Sequence, residues 1–384
     1  MGPRRPEVEY ISLQRLRHQK QAGVNERTKE AYNCLERLAN VAARSGPFSI
    51  TFHKSAPHIA PSGDPRDFLS YAPYWWPQHP NNSNTRYIRK DGKRNPDIRM
   101  VKDQTFLQSF VENVLHLCLG YHMFDRASYA EHAVLLLKTF FVDEKTRMNP
   151  NLNYAQLIRG SQNKTHLGRG EGVISSRSLI HLANVLPLLD SFHGYQAIQP
   201  AIHAWFTQYL DWLKTSPVAS KAARASNNIF SWYTAQKSTI QYFLNPHSSA
   251  ARHTLHDYFT KTLPKQVDGR TGNQPQEAKR AKPFHYLVFN MQAILCLAEL
   301  GESMGMNVYS QQPLVHLAIK HITTFANSPR EDITQAVRCV ETVMQAADHD
   351  NCCEPFLKKA HQSKHKDKLG GPKNAIPALW SNHV

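Results

Sequence analysis

Apolar residues recur along most of this chain at the i, i+3, i+4 spacing of an amphipathic helix. The clearest run covers 106–121, with apolar side chains at 106, 107, 110, 111, 114, 115 and 117. Comparable patterns predict helices over 128–141, 176–189, 198–213, 229–244, 250–263, 284–300, 313–325 and 332–347. One or two more are predicted over 13–43, marked by Leu13, Leu16, Ala31, Leu35, Leu38 and Val41. Short connectors separate them, among them Met148-Asn149-Pro150-Asn151, Leu244-Asn245-Pro246, Gly301 and Ser328-Pro329. Ser328 and Pro329 precede Glu331 and Asp332, the acidic opening that a helix N-terminus favours. Period-two alternation is almost absent. Helices joined by short turns predict an all-α fold of antiparallel hairpins, either a closed (α/α) toroid or a solenoid. The lack of a fixed-period motif argues against the solenoid.

One long segment, 45–97, departs from the helical pattern and is rich in Pro, Gly, Asn and aromatic residues. Loops of this length inside a compact domain are usually functional. It carries Phe68, Tyr71, Tyr74, Trp75, Trp76 and Tyr87, more rings than a linker needs. Rings beside Arg89 and asparagines suit a sugar-binding cleft, where C–H faces stack on aromatics and polar groups read hydroxyls and carboxylates. The competing reading is that Trp75 and Trp76 pin the loop onto the helices. The expected organisation is one domain over 1–350 that includes this loop. A polar, basic, peripheral extension is expected over 351–384, with Lys358, Lys359, Lys364, Lys366 and Lys368.

Composition narrows the partner. Among 384 residues, 46 Lys and Arg stand against 30 Asp and Glu, a formal net charge of +16. The 41% hydrophobic content excludes a disordered chain. Such a charge points to an acidic partner, nucleic acid or acidic polysaccharide alike. RNP, KH and CxxC signals are all missing, so no nucleic-acid partner is expected. A glycoside hydrolase would need two carboxylates across a cleft, and few acidic residues are placed to supply them. No run approaches the roughly eighteen uncharged apolar residues of a bilayer-crossing helix, so no membrane partner is expected. Cys34, Cys118, Cys296, Cys339, Cys352 and Cys353 lack metal-ligand spacing, and Cys118 and Cys296 lie in apolar helical runs as buried thiols. The start, Met1-Gly2-Pro3-Arg4-Arg5-Pro6, has no apolar stretch behind it and reads as no secretory signal. Asn81-Asn82-Ser83 and Asn163-Lys164-Thr165 permit glycosylation if the mature protein is secreted.

Six blocks in collinear order carry a specific resemblance. The loop reads Ser62-Gly63-Asp64, Asp67-Phe68-Leu69-Ser70, Ala72-Pro73-Tyr74-Trp75-Trp76-Pro77, Arg89-Lys90-Asp91-Gly92 and Asn95-Pro96. Then come Thr146 to Gln156, through Asn149-Pro150-Asn151-Leu152-Asn153-Tyr154, and the Gly-rich turn Gly168-Arg169-Gly170-Glu171-Gly172. Trp205-Phe206 through Trp212-Leu213-Lys214-Thr215-Ser216 follows, then Asn227-Asn228 with Trp232-Tyr233 and Gln236. The last block runs from Asp268-Gly269 through Gln274-Pro275-Gln276-Glu277 to Arg280 and His285-Tyr286. Together they resemble the alginate lyase-like superfamily, lyases of polymannuronate and polyglucuronate, over roughly residues 50–305.

The resemblance implies an α/α toroid and β-elimination on a uronic-acid polymer, with no cofactor or metal. Abstraction of the C5 proton requires a group that neutralises the adjacent carboxylate, a base, and an acid for the leaving O4. One Tyr can serve as base and acid in syn elimination if a nearby cation lowers its pKa from about 10. By resemblance Tyr286 is that residue, Arg280 its cation or a carboxylate ligand, and Asn228 the neutralising group with Asn227 beside it. His285 is a further catalytic candidate. Tyr154, Gln156, His166, Arg169, Tyr233 and Glu277, with Tyr74, Trp75, Trp76 and Arg89, are candidate substrate-binding residues. Pro283 breaks the helical pattern between Arg280 and Tyr286, which places Arg280 before the helix and Tyr286 in its first turn. Read without the resemblance, Tyr286 is a core tyrosine, Arg280 a solvated basic residue, and Asn227-Asn228 a helix cap.

Two departures stand out. The family's Asn-Asn-His-Gly reads Asn227-Asn228-Ile229-Phe230, and its His-Asp-Tyr reads Arg66-Asp67-Phe68. On one reading Tyr286 alone carries the chemistry, the missing His mattering only for anti elimination or one epimer. Alternatively His166 or His285 substitutes, or the chain binds polyuronate without cleaving it. The family implies an extracellular or periplasmic location, whereas the written N-terminus carries no signal. The oligomeric state is not legible.

Overall fold

The computed structural model describes residues 8–52, 54–82, 84–328, 330–346 and 353–381. The chain divides into two compact units. One comprises Met1–Leu38, Ser226–Tyr242 and His247–Val384, and the other Ala39–Ala225 and Phe243–Pro246. Both are helical, as the periodicity predicts. Part of the Ser328-Pro329 cap, residue 347 of the last predicted helix, Ser83 of the first sequon, Cys352 and the basic start of the chain lie outside the described residues.

In the Ala39–Ala225 unit the longest helix, Asp103–Phe124, buries Leu107, Phe110, Val111, Val114 and Leu117 on its apolar stripe. It ends where Asp125 takes a left-handed conformation (φ 51°) and its N–H returns to the Tyr121 carbonyl. That stop lets the Ala127–Leu137 helix fold back as an antiparallel hairpin. The core beneath is aromatic. Phe110 stacks on Phe140 with centroids 4.0 Å apart, Phe141 leans on Trp205 at 4.4 Å, and the Trp205 indole N–H donates to the Met148 carbonyl at 2.6 Å.

The 45–97 segment is non-helical until its end but not structureless. Leu69–Tyr71 pairs in parallel with Tyr154–Leu157, and Trp75–Pro77 forms an antiparallel pair with Tyr87–Arg89. Its anchor is a buried ion pair. Lys54 Nζ lies 2.7 Å from Asp103 Oδ2, with the two side chains 2% and 4% exposed, and also donates to the Asp67 carbonyl at 2.6 Å. The same Asp103 oxygen accepts the Leu69 N–H at 2.8 Å.

In the other unit the Pro283–Ser303 helix is the apolar centre, with Pro283 at its first turn, where a missing N–H costs nothing. By length and composition alone this helix is apolar enough to cross a bilayer. The pattern escapes a search for unbroken apolar runs because His285, Asn290 and Gln292 interrupt it. With 83% of its apolar window buried inside the protein, it is a core helix here. Arg15 pairs with Glu299 at 3.2 Å, Tyr309 OH donates to the other Glu299 oxygen at 2.8 Å, and Arg338 pairs with Glu9 at 3.0 Å. Cys118 and Cys296 are buried thiols, as predicted. The C-terminal segment expected to be peripheral contains the helix Glu354–Gln362 and buries Phe356, Ile376, Leu379 and Trp380.

Removing one member of a buried pair strands the other charge. Asp103→Ala is expected to cost about 3–5 kcal/mol, measured as a lower urea midpoint. The double replacement Lys54→Met with Asp103→Leu is expected to recover part of that loss, because neither charge then has to be buried.

Candidate functional site

The predicted catalytic residues lie in the unit built around the Pro283–Ser303 helix. The Asn228–Leu244 helix is capped by Asn227, whose Oδ1 accepts the Ile229 N–H at 3.2 Å. The Asn227 carbonyl accepts Gln266 Nε2 at 3.2 Å. The cap reading of this pair is therefore correct for Asn227. Asn228 does something else. Its backbone N–H and its Nδ2 each donate at 2.7 Å to the two oxygens of Glu277, and both residues are only 1% exposed. Burial pushes the Glu277 carboxyl up from its ordinary range, while the two Asn228 donors and the charge of Arg280 pull it back.

Glu277 stands on the short turn Pro275–Ala278, and the Arg280 N–H donates to the Glu277 carbonyl at 3.1 Å. One turn thus sets the origin of two pairs. From its far side Arg280 places its guanidinium carbon 3.7 Å from the centroid of the Tyr286 ring. Tyr286 sits in the first turn of its helix, its N–H on the Lys282 carbonyl at 3.2 Å, and is 6% exposed. The meeting of Arg280 with Tyr286 across the Pro283 break is the arrangement the sequence predicts. A guanidinium over an aromatic face is attracted by the ring quadrupole and, beside a phenol, favours the phenolate.

His285 is exposed, with Nδ1 2.8 Å from Gln335 Oε1 and its ring edge-on to Tyr286 at 5.3 Å. Ile229, next in chain to Asn228, is 8% exposed. Tyr233 is buried against Phe230 at 6.1 Å, and burial pushes its phenol up. Below these lies a polar cluster that sequence reasoning missed. Ser231 and Tyr258 donate to Gln266 Oε1 at 3.0 and 3.1 Å, and Asn290 Nδ2 donates to Gln274 Oε1 at 2.8 Å. The available signal was Ser231 and Asn290 falling on otherwise apolar helix faces.

The remaining candidates lie in the other unit. Trp75 pairs across the hairpin with Arg89, and Arg169 holds its guanidinium 5.5 Å from the Trp75 ring while pairing with Glu171. Burial draws the Arg169 pKa down, and Glu171 opposes that. Gln156, in a left-handed conformation (φ 53°), gives Nε2 to the Glu171 carbonyl at 3.1 Å and its N–H to Ser70 Oγ at 2.9 Å. Tyr154 opens the same strand and is half-buried. Trp76 donates its indole N–H to the Lys93 carbonyl at 2.8 Å under the Lys90 ammonium, and Arg89 pairs with Asp91 at 3.0 Å. Tyr74 is half-buried, and its carbonyl accepts the Lys90 N–H at 2.7 Å. His166 is exposed and takes a left-handed conformation (φ 53°).

The Gly-rich turn wraps Ala155. A Cβ on Gly168 would lie 2.2 Å from the Ala155 carbonyl oxygen, and one on Gly172 would lie 2.6 Å from the Ala155 Cβ. Sequence reasoning also missed Arg159, whose guanidinium stands 4.5 Å from the Tyr71 ring and 5.0 Å from the Tyr87 ring while pairing with Asp97 at 2.6 Å.

The family model described as alginate lyase matches residues 52–329. Among solved structures, an alginate lyase from Bacteroides ovatus superposes with a TM-score of 0.83 at 25% identity, covering 97% of this chain and 98% of that one. A histidine-to-alanine variant of alginate lyase A1-III, complexed with a tetrasaccharide, gives 0.59 at 15% identity over 97% and 94%. Alginate lyase A1-III from Sphingomonas species A1 gives 0.53 at 14% identity over 97% and 95%. These last two show the fold alone. No curated protein sequence matches significantly. With well over half of its residues matched by the family model, the chain belongs to the alginate lyase family, polysaccharide lyases of all-α, α/α-toroid fold.

Proposed function

We propose that this lyase cleaves a polymer of D-mannuronate or D-glucuronate by syn β-elimination, with Tyr286 as both base and acid. The observation that carries the reading is the guanidinium of Arg280 lying 3.7 Å from the Tyr286 ring centroid, next in chain to the turn that holds Asn228. Asn228 hydrogen-bonds the C5 carboxylate and spreads the charge of the enolate that forms when the C5 proton leaves. The Tyr286 oxygen takes that proton, the C4–O4 bond breaks as the C4–C5 double bond forms, and the same phenol returns a proton to O4. Arg280 stabilises the phenolate between the two transfers. The Trp75–Arg169 pair, with Tyr74, Tyr154, Gln156, Trp76 and Arg89, is read as contacting sugar rings and carboxylates of the acidic polymer.

Stereochemistry sets the substrate. In D-mannuronate and D-glucuronate the C5 hydrogen and O4 lie on the same ring face, within reach of one phenol. In L-guluronate, the C5 epimer of D-mannuronate, they lie on opposite faces and call for a second proton-transfer group. Ile229, which neither takes nor gives a proton, occupies the position where the family has His.

Incubation with polymannuronate, polyglucuronate and polyguluronate, following the ultraviolet absorbance of the unsaturated product, tests this directly. Cleavage of either of the first two but not the third is expected. Binding without cleavage of any would mean a silent relative. Ile229→His is expected to extend cleavage toward guluronate-containing polymer. Tyr286→Phe is expected to lower kcat by at least about 10³-fold while polymer affinity changes little. Near-wild-type turnover would show that another group is the base. Arg280→Met removes the cation, so kcat/KM is expected to rise only at higher pH than in the wild type.

A further inference from the structure

We propose that Glu277 is the positioning residue of the site, fixing which end of the Asn228 amide faces substrate. This rests on the reading of Asn228 as the group that binds the uronate carboxylate. Asparagine is chemically two-faced: one end of its amide donates and the other accepts, and a half-turn about its last bond exchanges them. Only the donor end attracts a carboxylate, and the acceptor end repels it. A residue with this task needs something that distinguishes the two orientations.

Glu277 supplies that distinction. An ionised carboxylate only accepts, so Nδ2 of Asn228 must point toward it, and the 2.7 Å contact to Oε2 is a charge-assisted hydrogen bond. The second oxygen holds the Asn228 backbone N–H at 2.7 Å, so main chain and side chain are gripped by one rigid fork. With one amide hydrogen spent on Glu277, the direction of the other is fixed, because rotation about the side chain no longer changes it. Both carboxylate oxygens of Glu277 are taken up by Asn228, one by its backbone N–H and one by its amide. The Arg280 backbone is tied to the Glu277 carbonyl, so the turn that orients Asn228 also sets out the cation over Tyr286.

A purely structural role, tethering the start of the Asn228–Leu244 helix, predicts a different outcome, and Glu277→Gln separates the two. The glutamine oxygen still accepts the Asn228 N–H, so the helix start keeps its partner. The glutamine NH2 would then oppose Asn228 Nδ2, donor against donor, and the amide relieves this by turning over. Thermal midpoints close to wild type are expected, together with a fall in kcat of about 100-fold or more and a KM raised by about 3-fold or more. Asn228→Ala and the double variant Asn228→Ala with Glu277→Gln are expected to be equally impaired, because Glu277 acts only through Asn228. A Glu277→Gln protein that is folded and turns over within 3-fold of wild type would overturn the proposal, as would losses that simply add. Calorimetric binding of polymannuronate and polyglucuronate keeps the two readings apart. If wild type binds but cleaves neither, the elimination reading falls. Glu277→Gln and Asn228→Ala must then still weaken binding equally and without adding, and unweakened binding by either variant would overturn the positioning role.

Discussion

The buried pair of Lys54 and Asp103 is the constraint on which the non-helical part of this molecule depends. Two charges withdrawn from water are unfavourable unless every remaining polar direction is filled. Here they are filled by the backbone of the loop itself: Lys54 also holds the Asp67 carbonyl, and Asp103 also holds the Leu69 N–H. The loop is therefore tied by charge to the start of the Asp103–Phe124 helix, alongside its own apolar cluster of Ala60, Leu69, Tyr71 and Val101. From Leu69 the consequences run outward. Strand Leu69–Tyr71 is fixed, Tyr154–Leu157 pairs with it, and Gln156 is delivered onto the Glu171 carbonyl beside the Arg169–Trp75 contact. Asp67 gathers Ser62, Asn149 and Asn151 around its side chain, which closes the base of the loop.

What could be read from the sequence and what could not divides along sequence separation. Helices write themselves locally, and the predicted stretches correspond to observed ones with ends shifted by a few residues. Where they differ, the end has loosened into a π or 3₁₀ turn, as at Lys138–Val142 and Thr324–Asn327. The contact of Arg280 with Tyr286 was legible because Pro283 lies between them and forces the chain to turn there. The contacts Asn228–Glu277 and Lys54–Asp103 each join residues 49 apart, with nothing in either local pattern to announce the partner. Arg159 was missed for the same reason: an arginine between two tyrosines is visible only once strands bring Tyr71 and Tyr87 together. The family resemblance filled part of this gap by naming residues, but it named them singly. It marked Glu277 without indicating that its role runs through Asn228.

The site also illustrates how a polyanion can be handled around a buried negative charge. Glu277 is a liability where the ligand is itself a carboxylate, and burying it raises that liability. The arrangement answers with geometry: both oxygens are turned onto Asn228, and Arg280 follows three residues later to balance the charge. A net charge of +16 attracts any polyanion at longer range and in a salt-dependent way, without reading which one it is.

The turn around Ala155 has a consequence for inheritance. Side chains at Gly168 and Gly172 are barred chiefly by the Ala155 main chain, whose carbonyl oxygen lies within 2.2 and 2.7 Å of where their Cβ atoms would stand. No replacement at position 155 removes such a barrier, since every residue carries that carbonyl. A heritable change at either glycine must therefore move main chain, whereas the flanking side chains of Gln156, Arg169 and Glu171 can be exchanged without meeting it.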